Sequence, residues 1–432
     1  MKKMDFISTP LWTIAGRVGG LLVPFFIALW FGAGAQTDAF FLSYGLIISL
    51  NGIFNPIFES LLVPYLAEHK NDPKKMSGIS NSIILAMAPL MIGLSLLVGV
   101  LLPVILKHSS GLDDASSQLT ARLFFEMIPL FLFGVLVSAS NGIFYTHKVF
   151  WFPAFSPSIR FAVVLMILFA AHSHQGIHSV TWGYGIGEIF RWFLGIMILR
   201  RESRWHFSFS RNRSQKGSEI FKTTLFQILA LLALNLIPLV NQWFASWFGA
   251  GKLSLLSYAD RLFQIPYQLF MTGMLQIYLS YWSEDYYAKG SSVFWEKAKR
   301  HIALTAKIAL GFSLVLFFLR GTLVQIIFGS SRIPPDQLAT VSSLFGWLIL
   351  GFLPCVLNLL YVRVLFVMKK TAAFCFQSWA RLILNVILNY FFVQLFGLQG
   401  IAISTGLVAA ITSLVAYIYI KSHRASEKKA VS

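Results

Sequence analysis

The chain has little charge and almost no cysteine. Asp, Glu, Lys and Arg make up 12% of its 432 residues, whereas a typical soluble domain carries about 25%. Two cysteines occur, Cys355 and Cys375, which is too few for a disulfide framework or a cysteine-ligated zinc site. These shortages argue against a water-soluble domain and against a fold held by disulfides or by zinc.

Motifs of nucleotide-driven or hydrolytic chemistry are also missing. No Gly-x-x-x-x-Gly-Lys-Ser/Thr stretch occurs, so ATP bound by this chain is not the expected energy source. No Ser/His/Asp set or carboxylate pair suggests catalysis. His172, His174 and His178 form a cluster without a cysteine or acid beside it in sequence, which favours a solvated loop over a metal site. We predict that the protein is not an enzyme and has no metal and no cofactor.

Apolar residues, in contrast, are abundant and come in long runs. They make up 56% of the chain, and the mean hydropathy is +0.70. A membrane-spanning helix needs about 20 mostly apolar residues, and the runs are continuous, which favours helices over the alternating strands of a β-barrel. We predict an all-α polytopic membrane protein of about twelve transmembrane helices, at roughly 9–31, 38–65, 79–106, 119–144, 153–171, 180–199, 221–247, 254–281, 302–328, 337–366, 372–395 and 399–420.

A repeated pentapeptide indicates that the chain consists of two related halves. Trp30-Phe31-Gly32-Ala33-Gly34 recurs 217 residues later as Trp247-Phe248-Gly249-Ala250-Gly251. A second, weaker repeat pairs Gln175-Gly176-Ile177 with Gln399-Gly400-Ile401. Every copy lies between apolar runs, and repeats of this kind are typical of transporters. We predict two pseudo-symmetric six-helix lobes around a central cavity.

Basic residues set the predicted boundaries and topology. The lobes are expected at 1–200 and 220–432, with a basic cytoplasmic linker at 201–219. The net charge of +18 could suggest nucleic acid, but most Lys and Arg cluster in loops on one side of the predicted spans. That bias marks the cytoplasmic side and places both termini there. We expect contact with anionic lipids and none with nucleic acid.

Charged residues inside the predicted spans are the best functional signal. A centred arginine costs about 2.5–3.5 kcal/mol on insertion scales, yet Arg17 and Arg261 both lie well inside apolar segments. Asp38 and Asp260 lie on the helices next to the repeated pentapeptide. Guanidinium donates in a planar fork that suits phosphate, so we interpret the two arginines as an anion site. Ion pairing with the aspartates is the alternative.

Polar residues also recur at helical spacing, which places them on one face of each helix. The alternative is that they bond one another between helices and only hold the bundle together. Arg122 with Glu126 and Glu188 with Arg191 fit that structural role. The candidate substrate-binding residues are Arg17, Asp38, Asn51, Asn55, Glu59, Asp260, Arg261, Gln264, Arg381 and Asn385.

Five stretches carry a family resemblance. They are Gly16-Arg17-Val18, the undecapeptide FGAGAQTDAFF at 31–41, VPYLAE at 63–68, FPAFSP at 152–157, and YADRL at 258–262 followed by Pro266. In this order they resemble the MurJ (MviN) lipid II flippases, a family of the multidrug/oligosaccharidyl-lipid/polysaccharide exporter superfamily. The resemblance extends over about residues 10–420, nearly the whole chain.

The resemblance implies two six-helix lobes in a V around a cavity and a flippase activity. Arg17, Asp38 and Arg261 match family positions that line a cationic cavity. Two departures stand out: Val23 and Asn51 occupy positions where the family has basic residues. The family usually has fourteen spans, the last two forming a groove for the lipid tail, whereas twelve are predicted here. We therefore expect a short and divergent member.

The predicted function is translocation of an undecaprenyl-diphosphate-linked saccharide, lipid II or a related glycan, by alternating access. The direction is from the cytoplasmic to the periplasmic leaflet of the bacterial inner membrane. Expected partners are that substrate, membrane lipids and cell-envelope glycan synthesis proteins. The alternatives are a flippase for exopolysaccharide or O-antigen units, a cation-coupled drug antiporter of the same fold, a membrane-embedded glycan-assembly enzyme, and a scaffold without transport activity.

Overall fold

The described part of the chain consists of helices joined by short turns. The computed structural model describes residues 12, 16, 19–20, 22–68, 73–203, 217–288 and 290–431, and no strand occurs in these ranges. In lipid, a helix satisfies its own backbone polar groups, and the all-α prediction is confirmed. The helices are α1 (Leu22–Phe31), α2 (Ala35–Glu68), α3 (Pro73–Ser109), α4 (Asp114–Glu126), α5 (Ile128–Thr146), α6 (Trp151–Phe155), α7 (Pro157–Gln175), α8 (His178–Ser203), α9 (Gly217–Ser246), α10 (Lys252–Ala288), α11 (Ser291–Phe328), α12 (Pro335–Leu350), α13 (Phe352–Val367), α14 (Thr371–Phe396) and α15 (Gln399–Val431).

Contacts divide the chain into two compact units. The first is Met1–Ile228 together with Gly249–Gly251, and the second is Leu229–Phe248 together with Lys252–Ser432. The division falls inside α9, which runs without a break from the predicted linker into the second half. Much of that linker, residues 204–216, lies outside the described residues.

Length and composition support a multi-pass membrane protein. Eight helical segments of the described residues are long and apolar enough to cross a membrane, or nine if the bent pair α12 and α13 is one span. The sequence predicts about twelve, and two of the others correspond to α8 and α10. Both are long enough to cross, but their charged and amide side chains lower the mean hydropathy. The first predicted span is described mainly as α1, which is short.

Positive φ angles account for the first glycine of the repeated pentapeptide. Gly32 follows the end of α1 with φ 68°, and Gly249 follows α9 with φ 86°. These are equivalent positions in the two copies, and glycine adopts this conformation at little steric cost. In the second, weaker repeat, the glycines that match in conformation are not those that match in sequence. Gly176 after α7 (φ 55°, ψ −137°) matches Gly397 after α14 (φ 59°, ψ −141°), three residues before Gly400.

Polar side chains are buried and many apolar ones are exposed. In the second unit, α14 and α15 pack together, with α13 against α15 and α10 against α12 and α13. Asn385 and Asn389 of α14 are 1% and 0% exposed, whereas Phe376 and Leu395 of the same helix are 74% and 73% exposed. A helix with a polar inner face and an apolar outer face suits a lipid environment. The inner faces of α9, α10 and α14 position the candidate site.

Candidate functional site

The second unit contains a cavity of about 340 Å³ that carries both arginine and carboxylate groups. Residues of α9, α10, α12, α13, α14 and α15 line it. Four of the predicted binding residues are among them: Asp260, Arg261 and Gln264 of α10, and Arg381 of α14. The spacing of three residues predicts that Arg261 and Gln264 share a face of α10, and both line this cavity together with the neighbouring Asp260.

The charges of this cavity are unbalanced in favour of the cations. Among the described lining residues, Arg261 and Arg381 face a single acid, Asp260. Asp260 Oδ1 accepts a hydrogen bond of 3.4 Å from Gln264 Nε2. The neighbouring apolar wall comes from residues such as Leu234, Ile237, Phe263 and Leu359. A cationic centre beside an apolar wall suits a ligand with an anionic head and an apolar tail.

Arg381 has unused capacity to bind an anion. Its Nη1 donates to Asn358 Oδ1 at 3.4 Å, and its buried Nε has no hydrogen-bond acceptor among the described residues. None of the ion pairs formed between described residues includes Arg381. Arg381 is partly buried, and a guanidinium shielded from water without a carboxylate partner favours binding of an anion.

A network of amides and hydroxyls lies next to the cavity. Asn389 Nδ2 donates to Asn241 Oδ1 at 2.8 Å and to Asn385 Oδ1 at 3.3 Å. Asn241 Nδ2 donates in turn to Thr405 Oγ1 at 3.3 Å, and the Ser404 hydroxyl donates to Asn389 Oδ1. Asn241 and Thr405 line the cavity, whereas Asn385 does not. Asn385 therefore contacts Asn389, which in turn bonds the lining residue Asn241, and the predicted contact of Asn385 with substrate stays a prediction.

Asp38 is fully buried at the start of α2 in the first unit. Its Oδ2 accepts a hydrogen bond of 2.5 Å from the backbone N–H of Gly251, a residue that belongs to the same unit by its contacts. The neighbouring Thr37 hydroxyl donates to the Gly34 carbonyl at 2.9 Å. The carboxylate therefore has a structural partner at the turn, and its predicted role toward substrate stays a prediction.

The polar face of α2 is directed at α5. Asn51 Nδ2 donates to the Leu130 carbonyl at 3.5 Å, and Glu59 Oε1 accepts from Asn141 Nδ2 at 3.0 Å. Asn55 has a buried Oδ1 without a donor among the described residues. These contacts between helices support the structural alternative for Asn51 and Glu59. Arg17, the remaining predicted site residue, lies outside the described residues.

Ion pairs cluster elsewhere in the first unit. Glu188 binds Arg191 Nη1 at 3.0 Å, as the sequence predicts, and also Arg160 Nη1 at 3.1 Å. Arg122 and Glu126 form the other predicted pair at 3.5 Å. Glu126 lies 2.8 Å from His178 Nδ1, so an acid does join the histidine cluster, although no candidate metal site occurs in the described residues.

Several cavity residues were missed in the sequence. Asn241 and Gln242 follow Pro238 in an otherwise apolar stretch of α9, and both line the cavity. The criterion that singled out Arg261 and Arg381, polar side chains within an apolar span, would also have identified them. Tyr267 and Thr405 gave no comparable signal, because tyrosine and threonine are common in apolar helices.

Comparison with known proteins supports the family resemblance. The family model described as "Lipid II flippase MurJ" matches residues 27–432. The chain is 24% identical over 426 residues to the lipid II flippase MurJ of Burkholderia cenocepacia, covering 95% of this chain and 82% of that protein. It is also 24% identical to the probable lipid II flippase MurJ of Buchnera aphidicola subsp. Acyrthosiphon pisum, covering 99% of this chain and 84% of the relative.

Solved structures show the same fold. A structure of lipid II flippase MurJ in an inward closed conformation superposes with a TM-score of 0.82 at 20% identity, covering 96% of this chain and 87% of that one. An inward-facing multidrug resistance MATE family transporter of the MOP superfamily gives 0.83 at 12% identity, covering 96% of both chains. At identities this low, the superpositions show a shared fold and nothing more. The family model spans nearly the whole chain, and the protein belongs to the MurJ lipid II flippase family.

Proposed function

We propose that this protein moves a diphosphate-linked lipid saccharide across the membrane. The observation that carries the proposal is the cavity of the second unit, where Arg261 and Arg381 face one acid, Asp260. Family membership supports the same activity, because the family model and the named relatives are lipid II flippases.

The arginines supply the chemistry that a diphosphate requires. Guanidinium donates two parallel hydrogen bonds to phosphate oxygens, and such charge-assisted bonds are roughly twice as strong as neutral ones. The free Nε of Arg381 is one donor available for this contact. Gln264, Asn241 and Gln242 offer amide groups to a saccharide, while the apolar wall accommodates the first part of a lipid tail. Arg17 is proposed as a further cationic contact on the basis of its sequence alone.

The proposed path follows alternating access between the leaflets. The substrate enters from the cytoplasmic leaflet of the bacterial inner membrane and leaves toward the periplasm, with both termini in the cytoplasm. The two units move as separate bodies in this scheme. Asp260 shares the cavity with the arginines, and we propose that it partly neutralises them when no substrate is bound.

Transport in vesicles tests the assignment. Purified protein is reconstituted with fluorescent lipid II, and the fraction that reaches the outer leaflet is measured. We expect R261Q and R381Q each to slow transfer by about tenfold or more, because each removes charge-assisted hydrogen bonds to the diphosphate. R17A is expected to have a similar effect. R300Q is the matched control, since Arg300 is exposed near the start of α11 and does not line the cavity.

The outcome is informative in both directions. Wild-type rates for R261Q and R381Q, with normal insertion and yield, would show that the cavity arginines do not bind the diphosphate. A second set of measurements replaces lipid II by another undecaprenyl-diphosphate saccharide, because the cavity chemistry recognises the diphosphate more than a particular sugar. Faster transfer of that lipid would identify an exopolysaccharide-type flippase.

A cation-coupled drug antiporter is disfavoured, because the cavity's excess of arginine over carboxylate repels cationic drugs.

A further inference from the structure

A second cavity, of about 450 Å³, lies in the second unit away from the proposed transport site. Residues of α11 and α12 and the first residue of α15 line it, and it shares no lining residue with the first cavity. Its polar groups are a guanidinium, two hydroxyls, an indole N–H and an amide, from Arg320, Ser342, Ser343, Trp347 and Gln399.

Arg320 is held in a fixed orientation without a carboxylate partner. Its guanidinium stacks on the Phe317 ring at 4.2 Å, and Nη1 donates to the Phe317 carbonyl at 2.7 Å. None of the ion pairs formed between described residues includes Arg320. The remaining N–H groups of the planar fork are therefore available to an acceptor.

Gly346 on α12 makes room for this arrangement. A Cβ at that position would lie 2.7 Å from Arg320 Cδ and 3.2 Å from its Nε. Real Cβ atoms do not approach so closely, so any larger residue would displace the arginine. The two helices thus form a cradle in which the Arg320 side chain lies flat against α12, beside the Ser342 and Ser343 hydroxyls.

The surroundings of the cavity are apolar and exposed. Phe318 and Leu319 on α11 are 77% and 46% exposed, and Leu350 on α12 is 42% exposed. Trp347 is 39% exposed, and its Nε1 donates to Gln399 Oε1 at 3.3 Å. An exposed apolar surface on a membrane helix meets lipid chains, and tryptophan is enriched where chains meet headgroups. The cavity therefore opens onto a surface that suits an amphiphile.

The position of Arg320 along α11 favours an anion beside it. It lies eight residues before the end of the helix at Phe328, which is about 12 Å at 1.5 Å per residue. Its guanidinium turns back toward Phe317, away from the nearer helix end. A cation that points inward in a span is costly unless it is paired, and no described carboxylate pairs with it.

We infer that this cavity binds the phosphate group of an anionic membrane lipid. Arg320 donates to the phosphate oxygens, the two serine hydroxyls complete the contact, and the acyl chains lie along the exposed faces of α11 and α12. The same phosphate chemistry could come from free inorganic phosphate, but the apolar rim favours a lipid. The site is independent of the proposed flippase activity.

Native mass spectrometry of the detergent-purified chain tests this inference. The protein is titrated with phosphatidylglycerol, with phosphatidylcholine and with inorganic phosphate. We expect R320Q to weaken retention of phosphatidylglycerol by about tenfold, as expected for the loss of hydrogen bonds to a charged group. G346A keeps the charge but displaces it, and should weaken retention similarly. R332Q, which removes an exposed arginine outside the cavity, should retain the lipid like wild type.

Three results would overturn the inference. Equal phosphatidylglycerol retention by wild type, R320Q and G346A would show that the cavity is not a lipid site. Equal weakening in R320Q and R332Q would reveal a general effect of net charge. Inorganic phosphate binding as tightly as the lipid, and competing with it, would exclude an amphiphile as the ligand. If R320Q transfers lipid II at the wild-type rate, the lipid site acts independently of the transport cavity.

Discussion

At the residue scale, the chain uses its few charges in two different ways. Arg381 lines a cavity and lacks a carboxylate partner among the described residues. Arg191 instead donates to Glu188 Oε1 at 3.0 Å and to the Ser156 hydroxyl at 2.9 Å, so it has a carboxylate partner. The contrast separates an arginine available to a ligand from one that holds helices together.

Removing the shared carboxylate of the buried cluster should destabilise the protein. E188Q leaves Arg160 and Arg191, whose side chains are 15% and 10% exposed, without their counter-charge. Breaking a buried ion pair by deleting one partner costs about 3–5 kcal/mol. We expect a clear fall in the midpoint of thermal unfolding, measured in detergent by tryptophan fluorescence.

R122Q is the control for that substitution. Arg122 also pairs with a glutamate, but its side chain is 72% exposed, and pairs of that kind contribute about 0–1 kcal/mol. Its unfolding midpoint should stay close to that of wild type. Equal midpoints for E188Q and R122Q would show that the buried cluster adds no more than a surface pair.

Residue identity in the sequence revealed part of this chemistry. Asp260, Arg261 and Arg381 stood out because a charged side chain in an apolar run is visible locally. The ion pair between Arg160 and Glu188 was not visible in the sequence, because the two residues are 28 apart and on different helices. The bond from Gly251 to Asp38 spans 213 residues and involves a backbone group, so no side-chain pattern could indicate it.

Among the helices and turns, backbone geometry accounts for one glycine of the repeated pentapeptide. Gly32 and Gly249 share a positive φ after α1 and α9, and this conformation is strained for other residues. The sequence predicted the helices from their apolar runs, but α12 and α13 together form one predicted span that bends by 40° at Gly351. Apolar length alone does not reveal such a break, since the residues on both sides of it are equally hydrophobic.

Substitution of one of these turn glycines should act through the backbone alone. At Gly249, φ is 86° and a Cβ would meet no atom within 4 Å. G249A should therefore destabilise the turn by about 1–2 kcal/mol, the cost of a left-handed conformation for an L-residue. Gly34 is the matched control in the first copy of the pentapeptide. It has equally open space, and it is not among the glycines with positive φ.

Amide hydrogen exchange measures the difference between these variants. Peptides that cover the end of α9 and the start of α10 should exchange faster in G249A than in wild type. In G34A, peptides that cover the start of α2 should exchange at the wild-type rate. Faster exchange in G34A alone would show that backbone conformation does not account for the recurrence of this glycine.

For the molecule as a whole, contacts divide the chain at a different position from the predicted linker, and the predicted lobes at 1–200 and 220–432 stay a prediction. The pentapeptide indicated two halves, and clusters of basic residues placed the predicted boundary at 201–219. Contacts instead divide the chain between Ile228 and Leu229, inside α9. A continuous helix carries no sequence signal at the point where its contacts change from one unit to the other.

This arrangement predicts where the chain tolerates a break. Two separately expressed segments, 1–210 and 211–432, keep α9 intact, and we expect them to associate and to restore lipid II transfer, because each segment retains most of one compact unit. Segments divided between Ile228 and Leu229 cut α9 where it enters an apolar stretch. Cutting there leaves unpaired backbone groups that are costly in lipid.

Affinity purification through a tag on one segment, followed by the vesicle assay, compares the two designs. Equal recovery from both would show that the continuity of α9 is not required, and failure of the first design alone would place the essential connection in the basic linker.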